Sequence, residues 1–121
     1  MSWRNSPLPK EVILNQVAVP YAAPVAVTGV AATQLFDIEH ISVTNTTAAT
    51  ITLTLTDGLA NPIANINSYP IDPSTSPYVF EFFDPPERAT GLIWQASATG
   101  LVANVRGWKQ IQGTAISGVP L

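Results

Sequence analysis

The sequence predicts an all-β protein, an antiparallel β-sandwich or jelly-roll-like domain, on three observations. Short apolar–polar alternations recur between turns rich in Pro and Gly. No helical apolar period survives beyond one turn. Residues 91–108 read as a β-hairpin whose arms agree about the buried face. With a two-residue turn at Thr99 and Gly100, Ala98 pairs with Leu101, Ala96 with Ala103, Trp94 with Val105 and Leu92 with Gly107. One face is then wholly apolar. The other carries Gln95, Ser97, Asn104, Arg106 and Trp108, with Ile93 and Val102 among them.

The remaining elements follow in chain order. Residues 1–12 form an extended N-terminal arm, because Pro7 and Pro9 interrupt pairing and Trp3 stands too near the end to build a core alone. Residues 13–110 form the β-sandwich domain. Residues 13–19 are a short strand. Pro20 and Pro24 bracket an extended or edge segment around Tyr21, and residues 25–27 are a second short strand closed by Gly29. In residues 34–45 the apolar phase slips between Ile38 and Ile41, which a bulge near His40 repairs. Residues 50–56 (TITLTLT) put Ile51, Leu53 and Leu55 on the core face and a threonine ladder outside; Asp57-Gly58 ends them. Residues 63–66 are a short or edge strand after Pro62, and the proline-rich residues 69–77 are a loop. Residues 78–83 (YVFEFF) set Tyr78, Phe80 and Phe82 against Val79, Glu81 and Phe83 before Asp84-Pro85-Pro86 breaks the strand. Residues 111–121 are a neutral C-terminal tail.

Composition narrows the function. The chain has 121 residues, which suits one domain able to bury a core without staples. Only 11% are charged, far below the usual share of about a quarter, and Thr, Ala, Asn, Ser and Pro take their place. A neutral polar surface of this kind separates neighbouring molecules poorly and suits lasting contact with other protein. The five basic residues, Arg4, Lys10, Arg88, Arg106 and Lys109, form no stripe, so a nucleic-acid partner is not expected. There are no cysteines, hence no disulfide, thiolate metal site or Cys nucleophile. MSWRNSPLPKEV has no continuous apolar core behind its charges, and no stretch reaches the roughly 20 apolar residues of a membrane span. A cytoplasmic origin without a signal peptide, and no membrane partner, are expected.

No motif names a reaction. His40 stands alone, with Ser42 two residues on, and lacks the nucleophile and orienting acid of a relay. Asp37 and Glu39 share a strand face, but Ca²⁺ needs six or more oxygens, so a solvated face is expected. Asp57, Asp72, Asp84 and Glu87 neighbour Gly or Pro and read as turn formers. Asn45-Thr46-Thr47 matches the glycosylation sequon, a short pattern carrying little weight without a signal peptide. No catalytic residue, cofactor or metal ligand is expected, and the protein is not read as an enzyme. Trp3, Val79, Phe83 and Trp108 are the candidate partner-interface residues, since they are large apolar groups off the core face or outside the core. Trp108 beside Asn104 and Arg106 offers an alternative, a sugar platform.

The segment 78–109 resembles the C-terminal half of small β-sandwich virion proteins of tailed bacteriophages, the head decoration or cement type. The likeness rests on an aromatic strand (YVFEFF), a proline break (DPPERATG) and a final hairpin (GLIWQASATGLVANVRGWK), with TITLTLTDG upstream. It covers a quarter to a half of the chain as a pattern of strands and turns, and the proline-rich N-terminus departs from it. The resemblance implies a structural role on the virion capsid surface, after synthesis in the host cytoplasm. It implies a homo-oligomer, a trimer being favoured, and contacts with the major capsid protein or another virion protein. The alternative is a carbohydrate- or receptor-binding module of a tail, fibre or head appendage.

Overall fold

A computed structural model describes residues 9–64, 66–82 and 85–110. Trp3, Phe83, Asp84 and the expected tail lie outside these residues. The described chain forms nine strands: β1 (Lys10–Ala18), β2 (Val25–Ala26), β3 (Leu35–Asn45), β4 (Ile51–Thr56), β5 (Tyr69–Ile71), β6 (Tyr78–Glu81), β7 (Glu87–Thr90), β8 (Ile93–Ala96) and β9 (Leu101–Lys109). They make two antiparallel sheets. The five-stranded sheet runs β1-β9-β3-β6, with β7 also on β3, and the four-stranded sheet runs β2-β8-β4-β5.

β6 and β7 lie end to end along β3: Tyr78–Glu81 pair with residues 43 to 40, and Glu87–Thr90 with residues 38 to 35. They act as one strand interrupted opposite Glu39, where Phe82 N still donates to the Glu39 carbonyl (2.9 Å). Counted so, the chain pairs first strand with last, second with second-last, and so inward to β4 with β5. This is a long antiparallel ribbon rolled into two sheets, the strand order of a jelly roll.

The inner faces close on one core. Phe36, Ile38, Ile41, Val43, Leu53, Leu55, Ile71, Leu92, Leu101 and Val105 are essentially inaccessible. The strict alternation of β4 appears as predicted, Ile51, Leu53 and Leu55 inward and the threonines outward. The bulge in β3 also falls where the apolar phase slips, between Ile38 and His40. At the open side, the Tyr69 ring meets Tyr78 and Phe80 edge-on, with centroids 6.3 and 5.3 Å away, and joins β5 to β6 across the sheets.

Several sequence expectations change. Residues 91–108 are not a hairpin: β8 pairs with β2 and β4, and β9 pairs with β1 and β3 in the opposite sheet. Leu92, Trp94, Ala96, Leu101, Ala103 and Val105 are nevertheless all buried. Two strands facing each other across a sandwich present apolar sides to the same core, as paired strands would. Residues 97–100 therefore cross between sheets, with Gly100 at φ 122°. The crossing from β3 to β4 lies beside them, and Thr46 donates from both N (3.0 Å) and Oγ1 (2.9 Å) to the Gly100 carbonyl.

The strand expected at residues 63–66 is not found at the described residues 63, 64 and 66; Ile66 N instead donates to the Ile63 carbonyl (2.9 Å). Both isoleucines are buried and bond the Leu55 backbone. The strand of that region is β5, inside the expected loop; Pro70 fits there because β5 is an edge. β7 was hidden behind the proline break, and Glu87 begins it rather than forming a turn. β1 starts at Lys10, so residues 10–12 of the expected arm are sheet residues paired with β9.

Candidate functional site

Pairing register places the outer-face residues of the five-stranded sheet in rows. Glu11, Trp108, Asp37 and Arg88 follow one another across β1, β9, β3 and β7. Ile13, Arg106, His40 and Glu81 form the next row, ending on β6, and Asn104, Ser42 and Val79 the row after it. Of the four sequence-predicted interface residues, this face holds the two that are described. Val79 is 49% exposed and Trp108 37%. Trp3 and Phe83 lie outside the described residues. The face also holds Ile13, 54% exposed, and Leu35. Sequence reasoning missed Ile13 because Val12, Ile13 and Leu14 form one apolar run with no alternation to choose a side.

Charges on this face are largely matched in pairs. Arg88 Nε and Nη2 donate to the two Asp37 oxygens at 2.6 and 2.8 Å, a bidentate cross-strand pair. The hydrogen bond from Arg88 is the largest cause holding the Asp37 carboxyl below the usual carboxylate range, and Gln110 Nε2 adds a weaker one. The same contact raises the Arg88 guanidinium. Arg106 Nε stands 3.8 Å from Glu39, and His40 Nδ1 stands 3.7 Å from Glu81. Asp37 and Glu39 are thus claimed by separate arginines across the bulge. Among the described residues, no three His, Asp or Glu side chains converge as a metal site would require.

His40 and Ser42 do share this face, but the structure turns them to different partners. Ser42, 5% exposed, accepts from Asn104 Nδ2 at 3.1 Å, and Asn104 Oδ1 accepts from Gln16 N at 2.8 Å. Gln16 has φ 53° at the bulge in β1, where the register shifts between Leu14 and Val17. The amide–hydroxyl chain ties β1, β9 and β3 together on the floor of a shallow depression. As an arrangement it can orient side chains for contact; it shows no nucleophile–base geometry.

The sequon asparagine has a structural task. Asn45 is buried, and its Nδ2 donates to the Ala49 and Ile71 carbonyls at 2.7 and 2.8 Å. Its Oδ1 accepts from Thr47 N and Oγ1 at 2.9 and 2.7 Å. Asp57 is a turn former as expected, accepting from the Asn61 and Leu59 amides at 2.9 and 2.8 Å, which lowers its carboxyl pKa.

Described residues include no helix long and apolar enough to cross a membrane. Compared with known proteins, the chain matches no family model, no curated protein and no solved structure.

Proposed function

We propose that this protein is a non-enzymatic structural component of a tailed-bacteriophage virion, a capsid decoration or cement protein that reinforces the shell through self-association and contacts with the major capsid protein. The phage assignment comes from the resemblance of residues 78–109, carried by its aromatic strand and proline break; its final hairpin is replaced by two strands in opposite sheets. The observation that supports an assembly role is the outer face of the five-stranded sheet. There Ile13, Val79 and Trp108 stand exposed beside two charge pairs, Arg88 with Asp37 and Arg106 with Glu39. Burying such a face against protein removes apolar area from water at about 25 cal/mol per Å², and charges already paired lose less on desolvation than bare ones. A jelly roll suits this role because the outer face of its sheet presents side chains without opening its core, although the fold by itself assigns no function.

Light scattering after gel filtration tests the reading, followed by cryo-electron microscopy of empty capsid shells mixed with the protein. A defined oligomer, the trimer being favoured, and added density on the shell are expected. A monomer at all concentrations that leaves the shells bare overturns it.

A further inference from the structure

The four-stranded sheet carries on its outer face a trough of about 570 Å³, away from the apolar face that supports the assembly role. Its floor is β4 and β8, the two central strands, where Thr54 pairs directly with Gln95 and Thr52 lies beside Ser97. Tyr21, 51% exposed, lines one wall. The Pro20 carbonyl accepts from Ala96 N at 2.7 Å, so the segment carrying Tyr21 is pinned along β8.

Three polar side chains of this trough are held by bonds within the chain. Ser97 Oγ accepts from Thr52 N at 2.9 Å, and Thr54 Oγ1 accepts from Ser68 N at 3.1 Å. An oxygen that accepts from a backbone amide keeps its own proton and a second lone pair, so both hydroxyls can still bond a ligand. Gln95 Nε2 donates to the Tyr21 carbonyl at 3.0 Å, which fixes the amide and leaves Oε1 as an acceptor. Thr52 adds a hydroxyl able to donate or accept.

We infer that this trough binds a neutral saccharide, with Tyr21 as the stacking wall and Thr52, Thr54, Gln95 and Ser97 as the hydroxyl-reading floor. The size lies within the range of small-ligand sites. Among the described residues no charged side chain lines it, so a phosphate, sulfate or carboxylate ligand finds no counter-charge there. Strands β4 and β8 are interior to their sheet, so an extended peptide finds no free backbone edge to join there. What remains is an uncharged ligand rich in hydroxyls with one apolar C–H face, which is the chemistry of a sugar ring. The inference goes beyond the assembly reading and stands without it.

Titration of the full chain, followed by ¹H–¹⁵N spectra, tests it. The probes are glucose, galactose, N-acetylglucosamine, maltose and lactose, with sialyllactose and a heparin oligosaccharide as charged controls. At least one neutral sugar is expected to shift the Thr52, Gln95 and Ser97 resonances. Tyr21→Ala should weaken that binding about tenfold. The isosteric Thr52→Val should weaken it roughly threefold to tenfold by removing one hydroxyl. Both positions lie on the outer surface, and dispersed spectra of the variants verify their folding. The inference is overturned if no neutral sugar shifts these resonances at tens of millimolar, if the anionic controls bind more tightly, or if Tyr21→Ala binds unchanged.

Discussion

Asp37 and Arg88 are cross-strand partners joined by two hydrogen bonds of 2.6 and 2.8 Å on the outer face of the five-stranded sheet. They fasten β7, the short continuation beyond the proline break, to β3. The Asp37 side chain is mostly covered, at 18% exposed, while Arg88 reaches into solvent.

This pair sets an acid-sensitive contribution to stability. The Asp37 carboxyl titrates below its ordinary value of 3.8 in the folded protein because Arg88 bonds its charged form. Its contribution is therefore complete above that unfolded-state value and lost as pH falls through the lower folded value. Arg88→Ala should lower stability at neutral pH, with the gap from wild type closing below about pH 4. Urea unfolding of both proteins across this range checks it; a gap that persists undiminished in acid rules out the pair as its source. Asp57 titrates in the same direction in both proteins and cancels from the comparison.

Gly107 is a packing requirement. It faces the core in β9, and an added Cβ would meet the Asp37 carbonyl and the Phe36 ring, at 2.7 and 2.9 Å from two ring carbons. Gly107→Ala should destabilise by about 1–3 kcal/mol through overpacking. Thermal or urea unfolding reads the loss, and an unchanged midpoint would contradict this packing role.

Asn45 is the polar link at one end of the sandwich, bonding Ala49 and Ile71 from the end of β3. Asn45→Ala leaves two carbonyls without their donor, one of these bonds being fully buried, and should cost about 3 kcal/mol. Asn45→Asp should cost more at neutral pH, since a carboxylate cannot donate and would face both carbonyl oxygens. Denaturation midpoints of the two variants give the order; a milder Asp variant contradicts this role.

Self-association, if it uses the five-stranded face, depends on Trp108 and Val79. The double variant Trp108→Ser, Val79→Ser should lower the oligomer's affinity by about a hundredfold or more, with little change in monomer stability, because both side chains stand outside the core. Sedimentation equilibrium on the variant and wild type measures this. Equal association constants would move the interface elsewhere.

The alternating residues of β4 and the phase slip in β3 were legible because side-chain direction in a strand is a local property: each residue points opposite to its neighbours. For the same reason Trp94 and Val105 could be assigned to the core and Trp108 to the outside. The Ile13 face, the β5 edge and the turn at Ile63 were not legible, since continuous apolar runs and proline-rich stretches carry no alternation.

The sequence by itself determined which residues of the alternating strands seek the core, and hence an all-β sandwich. Only the tertiary structure decided which strands are neighbours. β8 and β9 show why: residues 97–100 could close a hairpin or cross between sheets, and Ala96 and Ala103 are buried either way. Burial depends on the side each strand presents, but pairing depends on backbone partners far along the chain, here β2 and β4 for β8, and β1 and β3 for β9.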